Sequence, residues 1–491
     1  MKIRRIFALL LGATALLGLW SKSERTNWGQ FRGPGGAGVA LDAQSLPAVF
    51  NDSTNVLWKT PLAPGHSSPI IWDERIFLTA FENEKLTTLC FNRSDGKVLW
   101  RREAPAEKIE KGHKIHSPAA STPVTDGQRV FVYFGSYGLL CYDFSGEVLW
   151  QRPLPIPKNT FGSAASPIIA GDFLIFNHDS NEKSWLEAID PKSGETVWRT
   201  EREGFGSGWS TPTLWRRNGV DELVVYGVWW LKAYDLKDGS ERWAVPGLAD
   251  EPSITPVIGD GMVFVTSYNM KTNLEVEGLP EFKTLLEKYD ADKNGQLNRE
   301  ESKKNKSILS RHDADGEGDH PLSIFFRFLD VNRDDQISEK EWAKIVAWVD
   351  GFEQENALLA IRPRDDGQEP EIVWKHIRGV PEIPSPLYLD GNVYILKNGG
   401  IISCLDAQTG ALKYMEKLGS GGPYYASTVV GDGKIFASSA RGVITVFKPG
   451  DALTVLAKND LQERIMATPA LCESKIYVRT EKALYAFSDE D

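Results

Sequence analysis

The chain has 491 residues, 41% hydrophobic and 25% charged, with a formal net charge of −11. This is soluble globular composition with length for a large core, and the lack of a basic stripe argues against nucleic acid as a partner. Residues 271–355 hold 13 Lys/Arg against 20 Asp/Glu, so one segment carries most of the acidity.

At the N-terminus, Lys2, Arg4 and Arg5 precede an apolar run from Ile6 to Trp20. The run is too short for a comfortable membrane span and follows positive charge, which is the pattern of a secretory signal. Residues 1–22 are therefore expected to be a signal peptide or uncleaved anchor. The protein is expected to be exported to the periplasm, cell envelope or exterior, with no other integral membrane segment.

From there the chain repeats one phrase: Ser/Thr-Pro, a short apolar run, a Gly/Asp turn and a β-rich run. The prolines are Pro69, Pro123, Pro167, Pro212, Pro256, Pro386 and Pro469, and an eighth copy has Ser427-Thr428 without Pro. A second phrase ends each unit in an aromatic residue: Trp100, Trp150, Trp198, Trp243, Trp374 and Tyr414, with a degenerate copy ending on Leu456. Most copies are spaced by about 40–50 residues, the length of a propeller blade. Proline cannot donate to a sheet ladder, so it marks an edge strand, here the one lining a central channel. The closing aromatics are expected to pack between blades. The last unit lacks its Trp strand, whereas NVLWKTPL around Trp58 is such a strand without partners. Joining the two closes the ring and hides its edges. The cysteines Cys90, Cys141 and Cys404 precede similar segments (CFN, CYD, CLD), so they read as one repeated small buried position. With Cys472 they form no C-x-x-C, C-x-x-C-H or adjacent pair.

The phrase AIDPKSGETVW (Ala188, Asp190, Gly194, Trp198), recurring in register, resembles the quinoprotein-like β-propeller repeat, also called the pyrroloquinoline-quinone (PQQ) repeat. The segment WGQFRGPGGAGVA, Trp28 to Ala40, is similar to the start of exported members of that group. The resemblance covers roughly residues 28–270 and 357–487. It implies an all-β, eight-bladed propeller of four-stranded blades, closed by the two chain ends. It leaves the chemistry open, since fold does not dictate function.

One interval breaks the spacing. Pro256 and Pro386 lie 130 residues apart, against 44 or 45 for the three intervals before. The surplus is expected to be an insertion over 271–356, in a loop between two strands of the fifth blade, with propeller on either side at 28–270 and 357–491. Inside it the apolar spacing turns helical. DADKNGQLNREE offers oxygen ligands from Asp290, Asp292, Asn294, the Gln296 carbonyl, Asn298 and Glu301, with Gly295 at the sharp turn and Leu297 apolar. DVNRDDQISEKE offers Asp330, Asn332, Asp334, the Gln336 carbonyl, Ser338 and Glu341, with Ile337 apolar. Six or more oxygens converging from a twelve-residue loop suit Ca²⁺, so the insertion reads as an EF-hand pair with two calcium sites. Asp335 stands where glycine is expected, and the second loop is expected to bind more weakly. DADGEGDH, from Asp313, puts Ile324 at the twelfth position and reads as the linker between the hands.

The resemblance also raises PQQ as a cofactor. Quinoprotein dehydrogenases of the family hold PQQ on the propeller axis against a Trp, beside Ca²⁺ and an Asp base. No matching motif assigns the base or axial ligands here, so no catalytic residue is named. Trp209 in GSGWSTP could face the channel but reads as packing. His113 and His116 in GHKIHSP read as exposed or loop-packing. The chain is thus expected to be an exported calcium-binding propeller, a non-catalytic binding or scaffold module whose protein or small-molecule partner the sequence does not name. A PQQ-dependent dehydrogenase is the alternative.

Overall fold

Each repeat folds into one four-stranded antiparallel blade, because its apolar residues alternate toward two neighbouring blades. The second strand of blade 2, Arg129–Phe134, shows this. Val130, Val132 and Phe134 pack on blade 1, and Phe131 and Tyr133 pack on blade 3. With a side-chain period of two and both faces covered, the strand is apolar at nearly every position. The computed structural model describes residues 27–159, 161–202, 205–249, 251–268, 281–304, 326, 329, 330, 332–350, 356–364 and 368–489. The signal-type segment 1–22 and the Asp313 linker lie outside them.

Eight blades result. Blade 1 comprises Ile70–Trp72, Arg75–Glu82, Lys85–Asn92 and Val98–Glu103. Blades 2, 3, 4 and 6 follow the same order over residues 124–153, 168–201, 213–246 and 387–417. In blade 7, Val39–Ala40 adds a parallel strand beside Val429–Gly431. Blade 8 takes Ala470–Cys472, Lys475–Arg479 and Ala483–Phe487 from the C-terminus and Val56–Pro61, with Trp58, from the N-terminus. The closure read from the repeat is therefore the one observed. The core is distributed as clusters between successive blades, the largest joining blades 7, 8 and 1. Full burial of each large apolar side chain there is worth about 1.5–3 kcal/mol.

The closing aromatics pin one blade to the next. The indole N–H groups of Trp58, Trp100, Trp150, Trp198 and Trp374 donate to the carbonyls of Arg93, Phe144, Pro191, Leu236 and Ala407 in the following blade, at 2.9–3.1 Å. Each indole lies where a side chain on the next blade's turn glycine would be. A Cβ on Gly146 or Gly194 would come within 2.7 Å of Trp100 or Trp150, and both glycines have positive φ. Within a blade, the small residue before the turn faces the aromatic: Cys90 pairs with Trp100, Cys141 with Trp150, Ala188 with Trp198 and Cys404 with Tyr414. All four cysteines are buried and unbridged. In blade 7 the register corrects the expectation: Val446 faces Ala457, so Ala457, not the partly exposed Leu456, holds the aromatic's position.

The Ser/Thr before each inner strand makes a second ring. Backbone N–H groups of Ser68, Thr122 and Ser166 donate to the hydroxyls of Thr122, Ser166 and Thr211, at 2.9–3.1 Å. Those of Thr255, Ser385, Ser427 and Thr468 donate to Ser385, Ser427, Thr468 and Ser68, at 3.0–3.1 Å. At the step between blades 4 and 5, the Thr213 hydroxyl donates to the Pro256 carbonyl at 2.7 Å. The recurring Ser/Thr thus satisfies backbone donors that no sheet partner reaches.

In blade 5, Met262–Ser267 pairs directly with Ala357–Arg362, ending on Ser267 opposite Ala357. The intervening chain leaves and returns at that pair. Its described helices are α1 (Phe282–Tyr289), α2 (Arg299–Lys304) and α3 (Glu339–Asp350), and it buries its own core of Phe282, Leu285, Leu297, Phe326, Leu329, Ile337 and Trp342. No helix among the described residues is long and apolar enough to cross a membrane.

Candidate functional site

Two places bring chemistry-bearing side chains together: the acidic loops of the insertion and a cavity on the propeller axis.

The two loops lie side by side through a short antiparallel ladder, Leu297 opposite Ile337 and Asn298 opposite Gln336. Leu297 and Ile337 are fully buried in the small core, which fixes the register. In the first loop, one carboxylate oxygen each from Asp290, Asp292 and Glu301 comes within 4.8 Å of the others. Backbone N–H groups wind the chain around them. Gly295 N–H donates to Asp290 at 2.9 Å, and Asn294 N–H to Asp292 at 3.0 Å. Glu301, at the start of α2, is buried and turned back into the loop, accepting from Ala291 at 2.8 Å and Asn298 at 2.9 Å.

The second loop follows the same plan. Asp335 N–H donates to Asp330 at 3.1 Å, Asp334 N–H to Asn332 at 2.9 Å, and Ser338 N–H to the buried Glu341 at 2.9 Å. Asp335 adopts φ 61, the left-handed conformation that Gly295 takes at φ 80. An L side chain there costs roughly 1–2 kcal/mol. Arg299 of the first loop pairs with Asp335 of the second at 2.9 Å, but both side chains are exposed and the pair contributes little.

The axial cavity has a volume of about 230 Å³. The eight Ser/Thr residues of the ring line it, with Phe31 among its other lining residues. Phe31 belongs to the stretch 28–40, which crosses the channel. Trp28 bonds to Ile71 of blade 1, Gly29 accepts from Thr125 of blade 2, Arg32 donates to the Pro386 carbonyl beside blade 6, and Gly38 accepts from Val430 of blade 7. The N-terminal segment singled out in the sequence therefore plugs one end of the propeller. Connections between blades, carrying His66, His116, Phe161, Trp209, Glu251, Glu382, Tyr425 and Met466, line the cavity's other part.

Trp209 is half-buried in this wall, edge-on to Phe161 at 5.5 Å, with its indole N–H on the Gly162 carbonyl at 2.6 Å. The packing read for Trp209 is made on a connection: it follows the outer strand of blade 3, packs on Phe161 of the preceding connection and at the same time lines the cavity. The H-x-x-H pair separates. His113 is exposed, ring to ring with Phe161 at 5.4 Å. His116 turns inward, its Nε2 3.3 Å from the buried carboxylate of Glu110. No local motif points to the third histidine, His66: it lies 50 residues from His116, on the preceding connection, and the packing of neighbouring blades brings the two connections together through the Ala119 carbonyl. Burial, then the positive charges of Arg479 and Arg464, pushes the His66 imidazole down to about 3. It is neutral at physiological pH.

A family model described as outer membrane protein assembly factor BamB matches residues 42–201. The outer membrane protein assembly factor BamB of Yersinia pestis is 26% identical over 253 residues, 46% of this chain and 59% of that protein. The match thus spans less than two thirds of that relative. Among solved structures, BamB from Moraxella catarrhalis superposes with a TM-score of 0.52 at 11% identity, over 88% of this chain and 98% of that one. A europium-containing methanol dehydrogenase gives 0.55 at 10% identity, covering 95% and 98%. The quinohemoprotein alcohol dehydrogenase of Comamonas testosteroni gives 0.55 at 12% identity, covering 94% and 80%. At these identities the structural likeness is one of fold.

Proposed function

We propose that this chain, an eight-bladed β-propeller of PQQ-type repeats, is an exported, calcium-binding, non-catalytic binding module of the cell envelope. The similarity to an outer membrane protein assembly factor supports the assembly-type reading. The observation that carries the calcium reading is the pairing of two acidic loops through Leu297 and Ile337, with Glu301 and Glu341 each turned back into its loop. Asp290, Asp292, Asn294, the Gln296 carbonyl, Asn298 and Glu301 would hold one ion. Asp330, Asn332, Asp334, the Gln336 carbonyl, Ser338 and Glu341 would hold the other. These are hard oxygen donors of the number Ca²⁺ takes, and the ion would supply the charge that holds the two loops closed.

In an up-and-down blade, the loop between the second and third strands lies at the same end as the connections between blades. The insertion and the open side of the axial cavity therefore share one end of the propeller, and that end is the one proposed to meet a partner. Pull-down of envelope proteins by the full chain, with calcium and with chelator, tests this. A specific protein retained in calcium supports it; absence of any specific partner in both conditions refutes the binding role.

The dehydrogenase reading is favoured only by Trp209 in the cavity wall. Among the described residues, no group of three or more His, Cys, Asp or Glu side chains gathers on the axis closely enough to hold one ion. The cavity residues do not fit a quinone with a metal beside it, and no step is derived through one.

A further inference from the structure

We propose that a side cavity beside the axis is an anion site, which takes the carboxylate head of a small organic acid while the axial cavity takes the acid's apolar body. The side cavity, of about 230 Å³, is lined by Lys114, Arg464 and Arg479 against one acidic side chain, Glu481. His66, Ile115, His116 and Met466 line it and the axial cavity alike, so the two spaces adjoin. The site goes beyond the calcium and partner readings and depends on neither acidic loop.

Arg479 is the group that calls for an anion. It ends the second strand of blade 8, Lys475–Arg479, and is 1% exposed. Its Nη1 donates to the Thr79 carbonyl at 2.7 Å and to the Ser67 carbonyl and hydroxyl at 3.1 and 2.7 Å. Its Nη2 donates to the Ala63 carbonyl at 3.3 Å. Its Nε has no partner, and among the described residues no carboxylate pairs with the guanidinium. Carbonyl dipoles orient the group without cancelling its charge, and a buried charge without a counter-ion is unfavourable. Gly65, on the cavity wall, leaves the guanidinium its space, since a Cβ there would lie 2.2 Å from Nη2. Burial lowers Arg479 to about 9, which leaves it charged at neutral pH.

The lining selects the ligand. Three cations against one carboxylate leave an excess of positive charge, and Arg464 and Lys114 make no ion pair among the described residues. The charges of Arg479 and Arg464 already act on His66, where they disfavour a second proton. Phosphates are characteristically held by helix N-termini or nests of backbone N–H groups, and no described helix contributes to this lining. Arg and Lys side chains without either suit a carboxylate. Glu251 and Glu382 line the axial cavity and would repel that head, whereas Phe161 and Trp209 offer apolar surface there. The charges thus orient the ligand, with its head in the side cavity and its body on the axis.

The test is calorimetric titration of the full chain with phenylpropionate at neutral pH. One molecule per chain is expected. Phenylpropionamide, of the same shape without the charge, and acetate, the head without the body, should each bind at least about tenfold more weakly. Inorganic phosphate should also bind more weakly than the acid. Arg464→Gln should weaken binding of the acid by about tenfold, and Lys114→Gln, an exposed side chain, by a smaller factor. His113→Gln, exposed on the same connection as Lys114, should leave it unchanged. Arg479→Gln should abolish it; where that variant fails to fold, Arg464→Gln and the amide decide. No heat with the acid at millimolar concentration, equal affinity for the acid and either the amide or acetate, tighter binding of phosphate, or unchanged affinity in Arg464→Gln would overturn the assignment.

Discussion

The backbone N–H of Thr468, in the last blade, donates to the hydroxyl of Ser68, in the first, at 3.1 Å. Four hundred residues of chain separate the two groups, and both are buried. This bond closes the inner ring of Ser/Thr contacts, just as the pairing of Val56–Pro61 with Ala483–Phe487 closes the sheets at the outer rim. Ser68→Ala removes the acceptor and leaves a buried N–H unpaired, which costs about 1–3 kcal/mol. Thermal or denaturant unfolding should show that loss, while Ser53→Ala, whose hydroxyl bonds at the surface, should unfold like the parent. Equal stability of the two variants would show that the ring contributes nothing to closure.

The turn glycines should separate into two kinds. Gly146 and Gly219 both have positive φ, 86 and 77, but a Cβ on Gly146 meets the Trp100 indole whereas one on Gly219 meets open space. Gly219→Ala should cost about 1 kcal/mol, the backbone term alone. Gly146→Ala should cost that plus about 1–3 kcal/mol of overpacking against the previous blade. The difference between the two midpoints in urea measures the blade-to-blade contact.

Calorimetry should find two Ca²⁺ per chain, the second loop binding more weakly. Glu301→Gln should abolish the tighter event and spare the other. Asp335→Gly should tighten the second site by up to about fivefold, because it relieves roughly 1 kcal/mol of left-handed strain. No heat of binding at millimolar Ca²⁺ would rule out the calcium reading.

The insertion should be removable. Replacing residues 268–356 with a two-residue Asn-Gly turn joins Ser267 to Ala357 across a ladder that already pairs them. The shortened chain should melt within a few degrees of the parent and lose both calcium events. A chain that no longer folds would mean that the insertion contributes to blade 5.

Acid should destabilise the propeller through its neutral histidines. His178 is buried and stacked on Trp185 at 3.8 Å; burial, then the charge of Arg199, lowers it to about 4. Its folded value lies below the unfolded one of about 6.5, so the unfolded chain binds the extra proton between them and stability falls as pH drops from about 6.5 toward 4. The contribution from His178 should be roughly 2–3 kcal/mol across that window. His178→Gln should flatten the pH dependence of unfolding over that range without changing it above pH 7.

What the sequence determined by itself is the repeat, and with it most of the fold. Blade number, ring closure through Trp58 and the position of the insertion follow from features that recur at fixed spacing: a proline that must lie on an edge, a turn glycine, and an aromatic that needs a neighbour. The gathering of Asp290, Asp292 and Glu301 was equally legible, because the three carboxylates lie within twelve residues of one loop. Where the repeat decayed the reading slipped, and only strand register assigned the packing position to Ala457 instead of Leu456.

Tertiary structure alone decided the axis. Nothing in WGQFRGPGGAGVA marks it as a plug, since its partners, Ile71, Thr125, Pro386 and Val430, come from four different blades. The Ser/Thr before each proline looks like a turn residue until the blades are arranged in a circle and each hydroxyl meets the next backbone N–H. His66, His116 and Met466, spread over 400 residues, share a wall only because the last blade returns to the first. Sequence periodicity encodes contacts that repeat with the chain, whereas a site on the axis is built from one residue per connection, and its composition appears only when the ring is closed.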